Sequence, residues 1–214
     1  TLIEENYTPN SWNIFKANKE VLSAKIEEVK IPDSVVSIGE FAFDSCVALK
    51  EIWLPQDLEK TERALCANCI NLSVVHWPQT LQVIGYAGFS GCNSLQTVKI
   101  PDTVKRIESY AFSSCKNLQI LMFGSSVEKV AKSYAKNSIA LRKVVNYSDI
   151  SIPLVTSKGN LIWRLDGQRV EVLPPKKTAR AEAKKYLIQY KLKGGKIKGR
   201  RINKHEYGKA MKLP

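Results

Sequence analysis

Histidine is almost missing from this sequence: His76 and His205 are the two among 214 residues. General acid–base catalysis and metal binding draw on histidine heavily, so its scarcity leaves little material for either. A glycine-rich phosphate loop is also absent, and His, Cys, Asp and Glu make up no complete metal-ligand set. No apolar run approaches the roughly 20 residues that a membrane-spanning helix needs, and no signal-peptide pattern is present. The sequence starts at Thr1 rather than Met, as expected of a trimmed sequence or a mature fragment, so the missing targeting segment carries no information. Acidic residues are depleted in one region only. Residues 1–150 hold 16 Lys plus Arg and 16 Asp plus Glu, whereas residues 151–214 hold 17 basic residues and four acidic ones, Asp166, Glu171, Glu182 and Glu206. The whole net charge of +13 therefore lies in the last third. These absences point away from an enzyme and toward a protein that works without cofactor or metal.

What is present is a period. Pro32, Pro55, Pro78 and Pro101 are spaced by 23 residues, and so are Cys46, Cys69, Cys92 and Cys115. Leu49, Leu72, Leu95, Leu118 and Leu141 keep the same step, as do Ile52, Val75, Val98, Leu121 and Val144. A further apolar column is Val35, Leu58, Leu81, Val104 and Val127. An internal repeat of this length lies in the leucine-rich range. Within one unit, "LQTVKIP" (Leu95 to Pro101) alternates apolar Val98 and Ile100 with Thr97 and Lys99, which predicts a short strand. The proline ends the strand and opens a turn. "YAFSSC" then places Ala111, Phe112 and Cys115 at helix-like spacing, in room for a turn or two at most. A unit this small buries its apolar face only against stacked copies.

In such a stack each column becomes a row of touching side chains. The cysteine row is then a buried row continued by Ser138, and Cys66 falls in the column of Phe43, Phe89 and Phe112. Cys66 and Cys69 spell "CANC", a spacing that zinc and redox sites use. Both are already accounted for by their columns, and no second CxxC exists. The five thiols are therefore expected to be reduced and slow to react.

The phrases "VKIPDSVVSIGEFAFDSCVALKEIWLP" and "VKIPDTVKRIESYAFSSCKNLQILMF" closely resemble the BspA-like leucine-rich repeat family over about Ile26 to Val144. Two copies depart from that pattern: "EKTERALCANC" lacks the Ile-Gly and Ala-Phe pairs, and "EKVAKSYAKNS" lacks the Phe and Cys. The resemblance implies a curved solenoid without catalytic apparatus, in proteins that are secreted or attached to the surface of host-associated microbes and bind proteins or glycans. It carries no ligand residue with it.

The expected fold is an α/β repeat solenoid: a right-handed leucine-rich solenoid with a parallel strand ladder and a small basic β-rich C-terminal subdomain. Residues 1–25, with Trp12 and Phe15, are read as a divergent N-terminal cap, 26–148 as about five 23-residue units, and 149–214 as the basic subdomain. In the last, Asp166-Gly167 predicts a hairpin that sets Trp163 opposite Val170 and Leu161 opposite Val172. "KKTARAEAKKYL" reads as a short helix, and Gly194-Gly195 as a second hairpin whose apolar side is Tyr186, Ile188, Tyr190 and Leu192.

The outward strand columns carry the functional expectation. One is Lys30, Trp53, His76, Lys99, Met122 and Val145; the other is Glu28, Glu51, Val74, Thr97, Ile120 and Lys143. A solvated strand face is ordinarily charged or threonine-rich, whereas this one shows Trp53, Val74, Ile120, Met122 and Val145, a pattern that marks interfaces. The alternative is that the C-terminal subdomain folds back over Ile120, Met122 and Val145. Trp53, Val74, His76, Lys99, Ile120 and Met122 are the candidate binding residues for a protein or glycan ligand, with the indole and imidazole expected to touch at their edges. A second reading gives binding of an anionic polymer (sulfated glycan or nucleic acid) to the basic C-terminal third, where "KLKGGKIKGRR" lies. A monomer at the cell surface or outside the cell is expected.

Overall fold

The structure is a computed structural model that describes residues 24–154, 161–166, 168–169 and 171–183. Residues 1–23 of the expected cap, the hairpin at Gly194-Gly195 and His205 lie outside the described residues.

Each turn of the solenoid opens with one of the alternating stretches read from the sequence. These form a front series: β1 (Glu28–Lys30), β2 (Glu51–Trp53), β4 (Val74–His76), β6 (Thr97–Lys99), β8 (Ile120–Phe123) and β10 (Lys143–Asn146). After the proline turn, which Leu58 closes by donating its N–H to the Pro55 carbonyl at 3.1 Å, each turn adds a two-residue back strand. The back series is β3 (Lys60–Thr61), β5 (Val83–Ile84), β7 (Arg106–Ile107) and β9 (Lys129–Val130). Pairing in both series is parallel at an offset of 23, as in Ile52 with Val75 and Val83 with Arg106. One repeat is thus one turn, and the apolar columns meet in a single core between the two series.

The expected "α" component is carried by turns instead; among the described residues there is no helix. Two positions in each of the first four units, and one in the fifth, have positive φ: Phe41, Ala64, Ala87 and Tyr110 at 52° to 62°, and Ser45, Asn68, Gly91, Ser114 and Asn137 at 56° to 75°. Left-handed residues break a helix. The N–H groups freed in this way reach the next turn, where Phe43, Cys66, Phe89 and Phe112 donate to the carbonyls of Leu65, Gly88, Ala111 and Tyr134 at 2.7–2.9 Å. Backbone strain that costs on the order of 1 kcal/mol per residue is offset by this third row of bonds between turns.

The front series is not continuous. β1, β2 and β4 form one sheet; β6, β8 and β10 belong to another, and β4 does not pair with β6. Trp77 stands at this break. It occupies the inward column otherwise filled by Leu54, Ile100 and Phe123, and it packs edge-on against Phe89 with centroids 5.0 Å apart. Those three neighbours are buried, whereas Trp77 and Val75 are only partly so. An indole exceeds the volume of the column, and a close-packed core accommodates extra volume by moving backbone. The strands part where the tryptophan sits.

Beyond the repeats come β11 (Ile152–Pro153), β12 (Leu161–Leu165), β13 (Gln168–Arg169), β14 (Val172–Leu173) and β15 (Thr178–Ala183). The hairpin register agrees with the two-residue turn at Asp166-Gly167: Arg164 pairs with Arg169 and Leu165 with Gln168. Val170, the expected partner of Trp163, lies outside the described residues. Two expectations are corrected. Val172 pairs with Pro153, not Leu161, which pairs with Ala183. "TARAEA", read as helical, is strand β15, lying antiparallel between β10 and β12. The last strand of a ladder exposes a row of unpaired N–H and C=O groups, and satisfying them outweighs the weak helical propensity of a short segment. The extension therefore lengthens the front sheet and puts buried Trp163 and Ala179 at the end of the core.

Candidate functional site

The outward columns come out as the alternation requires, in register across β1, β2 and β4 and again across β6, β8 and β10. The break between β4 and β6 divides the six candidates. Trp53, Val74 and His76 lie on one side of it; Lys99, Ile120 and Met122 lie on the other. Val74 is 41% exposed and Lys99 is exposed, whereas Trp53, His76, Ile120 and Met122 are half-buried. Val145, counted as exposed from the sequence, is only 6% so. It pairs with Thr178 of β15, so the added strand shields it from the side. The extension borders this end of the face by edge pairing.

The aromatic pair is more organised than an edge contact. Trp53 and His76 stack flat, with centroids 4.3 Å apart and planes 7° from parallel. Side chains of one column leave adjacent parallel strands in the same direction about 4.8 Å apart, which favours face-on stacking of planar groups. Lys30 covers the opposite face of the indole with its Nζ 4.5 Å from the ring centroid, a cation–π contact. Glu51 Oε1 lies 2.5 Å from His76 Nε2. Four residues from three consecutive turns thus hold one another in place on the outward face. What they leave open to a partner is the outer rim of the indole and imidazole, with Val74 beside them.

The cysteines are explained by packing and by one further bond. All five are free and buried. Cys69, Cys92 and Cys115 donate their thiols to the carbonyls of Phe43, Cys66 and Phe89 at 3.0, 3.1 and 3.2 Å. Ser138 does the same to Phe112 at 2.7 Å, which is why serine continues the row. Burial pushes the Cys115 thiol up to about 12 and raises Cys66 and Cys92 as well. Thiols held protonated in this way are poor nucleophiles and poor ligands. Among the described residues no three His, Cys, Asp or Glu side chains converge to hold a metal ion, and no helix is long and apolar enough to cross a membrane.

Two features escaped a reading by columns. Asn146 stands in the inward column after Phe123 and is fully buried. Its Nδ2 donates to the carbonyls of Ile150 and Pro174 at 2.8 and 3.0 Å, and its Oδ1 accepts from the N–H and Oγ of Ser148 at 3.0 and 2.6 Å. A polar residue where the period demands an apolar one was the available signal; it clamps the extension to the last turn. The second feature is a string of rings and cations along the back edge, exposed except for half-buried Tyr110. Arg63 lies over Phe41 and Tyr86, Tyr86 meets Tyr110, and Lys136 lies over Tyr110. Phe41 and Tyr110 share one column and Arg63 and Tyr86 an adjacent one, with Lys136 in a third, so no single column holds the whole string.

A parallel-strand solenoid with this period, proline turn and buried thiol row is a leucine-rich repeat protein. The model of the BspA type leucine rich repeat region matches residues 19–144 in six copies. The chain belongs to that family. Among solved structures, a leucine rich cell surface protein from Faecalibacterium prausnitzii A2-165 is similar at 29% identity and a TM-score of 0.55, over 57% of this chain and 32% of that one. A leucine-rich repeat protein from Bacteroides ovatus matches at 25% identity and 0.53, over 58% and 32%. The leucine rich repeat protein of T. pallidum shares the fold at 24% identity and 0.51, over 57% and 58%. The chain thus spans about a third of two of these structures and somewhat over half of the third. Among curated proteins the chain has no significant match.

Proposed function

We propose that this chain is a non-catalytic binding module of a cell-surface or secreted protein, recognising a protein or glycan through the front strand face. The observation that carries the reading is the cluster of Lys30, Trp53, His76 and Glu51. Trp53 and His76 stand in outward columns, where the repeat core has no need of them, and they are held rigid. Preorganised aromatic groups lose little entropy on binding, which is why tryptophan recurs at binding hot spots. The similarity to a leucine rich cell surface protein supports the location.

Screening the intact protein against a glycan array and an array of host proteins identifies the ligand class. With a ligand in hand, Trp53→Ala is expected to lower affinity by about 2 kcal/mol, the hot-spot scale, while the melting temperature stays within a few degrees. Wild-type affinity in that variant refutes the front face as the site. Binding by the basic third is the competing reading; Arg180 of β15, in register with Lys143 of β10, brings its positive charge to the same sheet. Binding that falls steeply as salt rises but ignores Trp53→Ala supports that reading.

A further inference from the structure

The back of turns one to five offers a second surface, distinct from the front face. Phe41 and Tyr86 are 47% and 40% exposed, large values for aromatic side chains with partners. The Arg63 guanidinium lies between them, 5.4 and 5.3 Å from the two ring centroids. Tyr110 meets Tyr86 edge-on at 5.5 Å, and the Lys136 ammonium lies 5.8 Å from the Tyr110 centroid. One planar group or cation therefore comes from each of five successive turns, at the spacing of the ladder, about 4.8 Å per turn.

Beside this ridge lies a shallow depression of about 290 Å³ lined by Gln82, Val83, Lys105, Arg106, Glu128 and Lys129. Glu108 joins the two. One of its carboxylate oxygens is 3.3 Å from the Arg106 guanidinium, and the other accepts the Tyr86 N–H at 2.9 Å. Glu108 is thereby neutralised, as Glu62 is by Lys60 at 2.9 Å. Arg63, Lys105, Lys129 and Lys136 make no ion pair among the described residues, against one such carboxylate, Glu128, in the depression.

We propose that this back surface binds an acidic linear polysaccharide, its sugar rings against Phe41, Tyr86 and Tyr110 and its carboxylates at Arg63, Lys136 and the Lys105–Lys129 depression. The site is open and long, so it fits a chain better than a small molecule. Pyranose rings follow one another along a chain at close to the strand spacing, and their C–H faces pack on aromatic rings. The cations are sparse and interleaved with Glu62, Glu108 and Glu128, which suits a carboxylate here and there. A nucleic acid, with a phosphate at every nucleotide, needs a denser positive track.

The test is calorimetric titration of the intact protein with an alginate oligosaccharide, a neutral glucan of equal length and a single-stranded oligonucleotide. The alginate is expected to bind at least about tenfold more tightly than either other probe. The Tyr86→Ala, Tyr110→Ala double variant should weaken it about tenfold or more, and Arg63→Gln should weaken it and flatten its salt dependence. Trp53→Ala should leave it unchanged. Wild-type binding by the tyrosine variant, or tighter binding of the oligonucleotide or glucan, overturns the proposal. Loss of alginate binding in Trp53→Ala alone also overturns it, by placing the polysaccharide on the front face. A failed front-face reading leaves these outcomes untouched.

Discussion

Along the back of the solenoid four two-residue strands pair without interruption, whereas along the front longer strands part between β4 and β6. Both series come from the same repeat, so the period does not explain the difference. Side-chain volume does. The inward back positions hold Thr61, Ile84 and Ile107, none larger than isoleucine, and the Thr61 hydroxyl accepts the Gly85 N–H at 2.9 Å. The inward front positions hold Leu54, Trp77, Ile100 and Phe123, and the ladder fails beside the largest. A stacked repeat tolerates sequence drift outside its core and registers it immediately inside, because each column is a line of direct contacts. The lesson for function is that the half-buried aromatic cluster of Trp53 and His76 reaches β4, the strand at which the front ladder breaks, while the back ridge rides on an intact ladder.

This comparison can be broken most severely at Gly85. A Cβ there would lie 2.2 Å from the Thr61 carbonyl oxygen and 3.1 Å from that of Glu62, both backbone atoms. Gly85→Ala should therefore cost about 3 kcal/mol as the back ladder shifts to admit a methyl, measured by chemical denaturation. A cost below about 1 kcal/mol would mean that the back is as pliable as the front. Next comes the clamp between the last turn and the extension. Asn146→Ala should cost about 2 kcal/mol, since the Ile150 and Pro174 carbonyls lose their buried donor. Hydrogen exchange in β15 should accelerate more than in β2.

A smaller effect is expected in the thiol row between the two series. Cys92→Ser should cost about 1 kcal/mol, because Ser138 already shows that a hydroxyl makes the same bond to the preceding turn. The row also sets an alkaline limit. The Cys115 thiol is raised from an ordinary 9.0 to about 12 in the folded protein, so the unfolded chain ionises first. Stability from this group is complete below about pH 9 and is lost between there and about pH 12. Melting temperature against pH should show that fall, and Cys115→Ala should reduce its slope. Smallest of all, Trp77→Leu should change stability by less than about 1 kcal/mol, lost burial being balanced by restored pairing. The informative readout is amide exchange at Thr97 to Lys99, which should slow. Unchanged exchange would show that the tryptophan is not what holds β4 and β6 apart.

Much of this architecture is legible in the residues because one period is one turn. Columns such as Leu49 to Leu141 become contact rows whatever their surroundings, so the core, the front strands and the burial of Cys115 follow directly. The back strands did not stand out, since two residues are too few to show an alternation. The segment Thr178 to Ala183 misled for a different reason: its helical composition is a local preference, and the open edge of β10 is a tertiary demand.

The sequence by itself determined the solenoid, its period and the identity of the outward residues, because stacking identical units converts spacing into contact. Tertiary structure alone decided how those outward residues meet. Trp53 lies flat on His76 because parallel strands aim neighbouring side chains the same way, and β4 parts from β6 because a column has a volume as well as a polarity. Phe41, Arg63, Tyr86, Tyr110 and Lys136 join because successive turns bring different columns edge to edge. Trp53 and His76, like Arg63 and Tyr86, stand one period apart, so the period sets that they meet and the shape of the residue one turn away sets how.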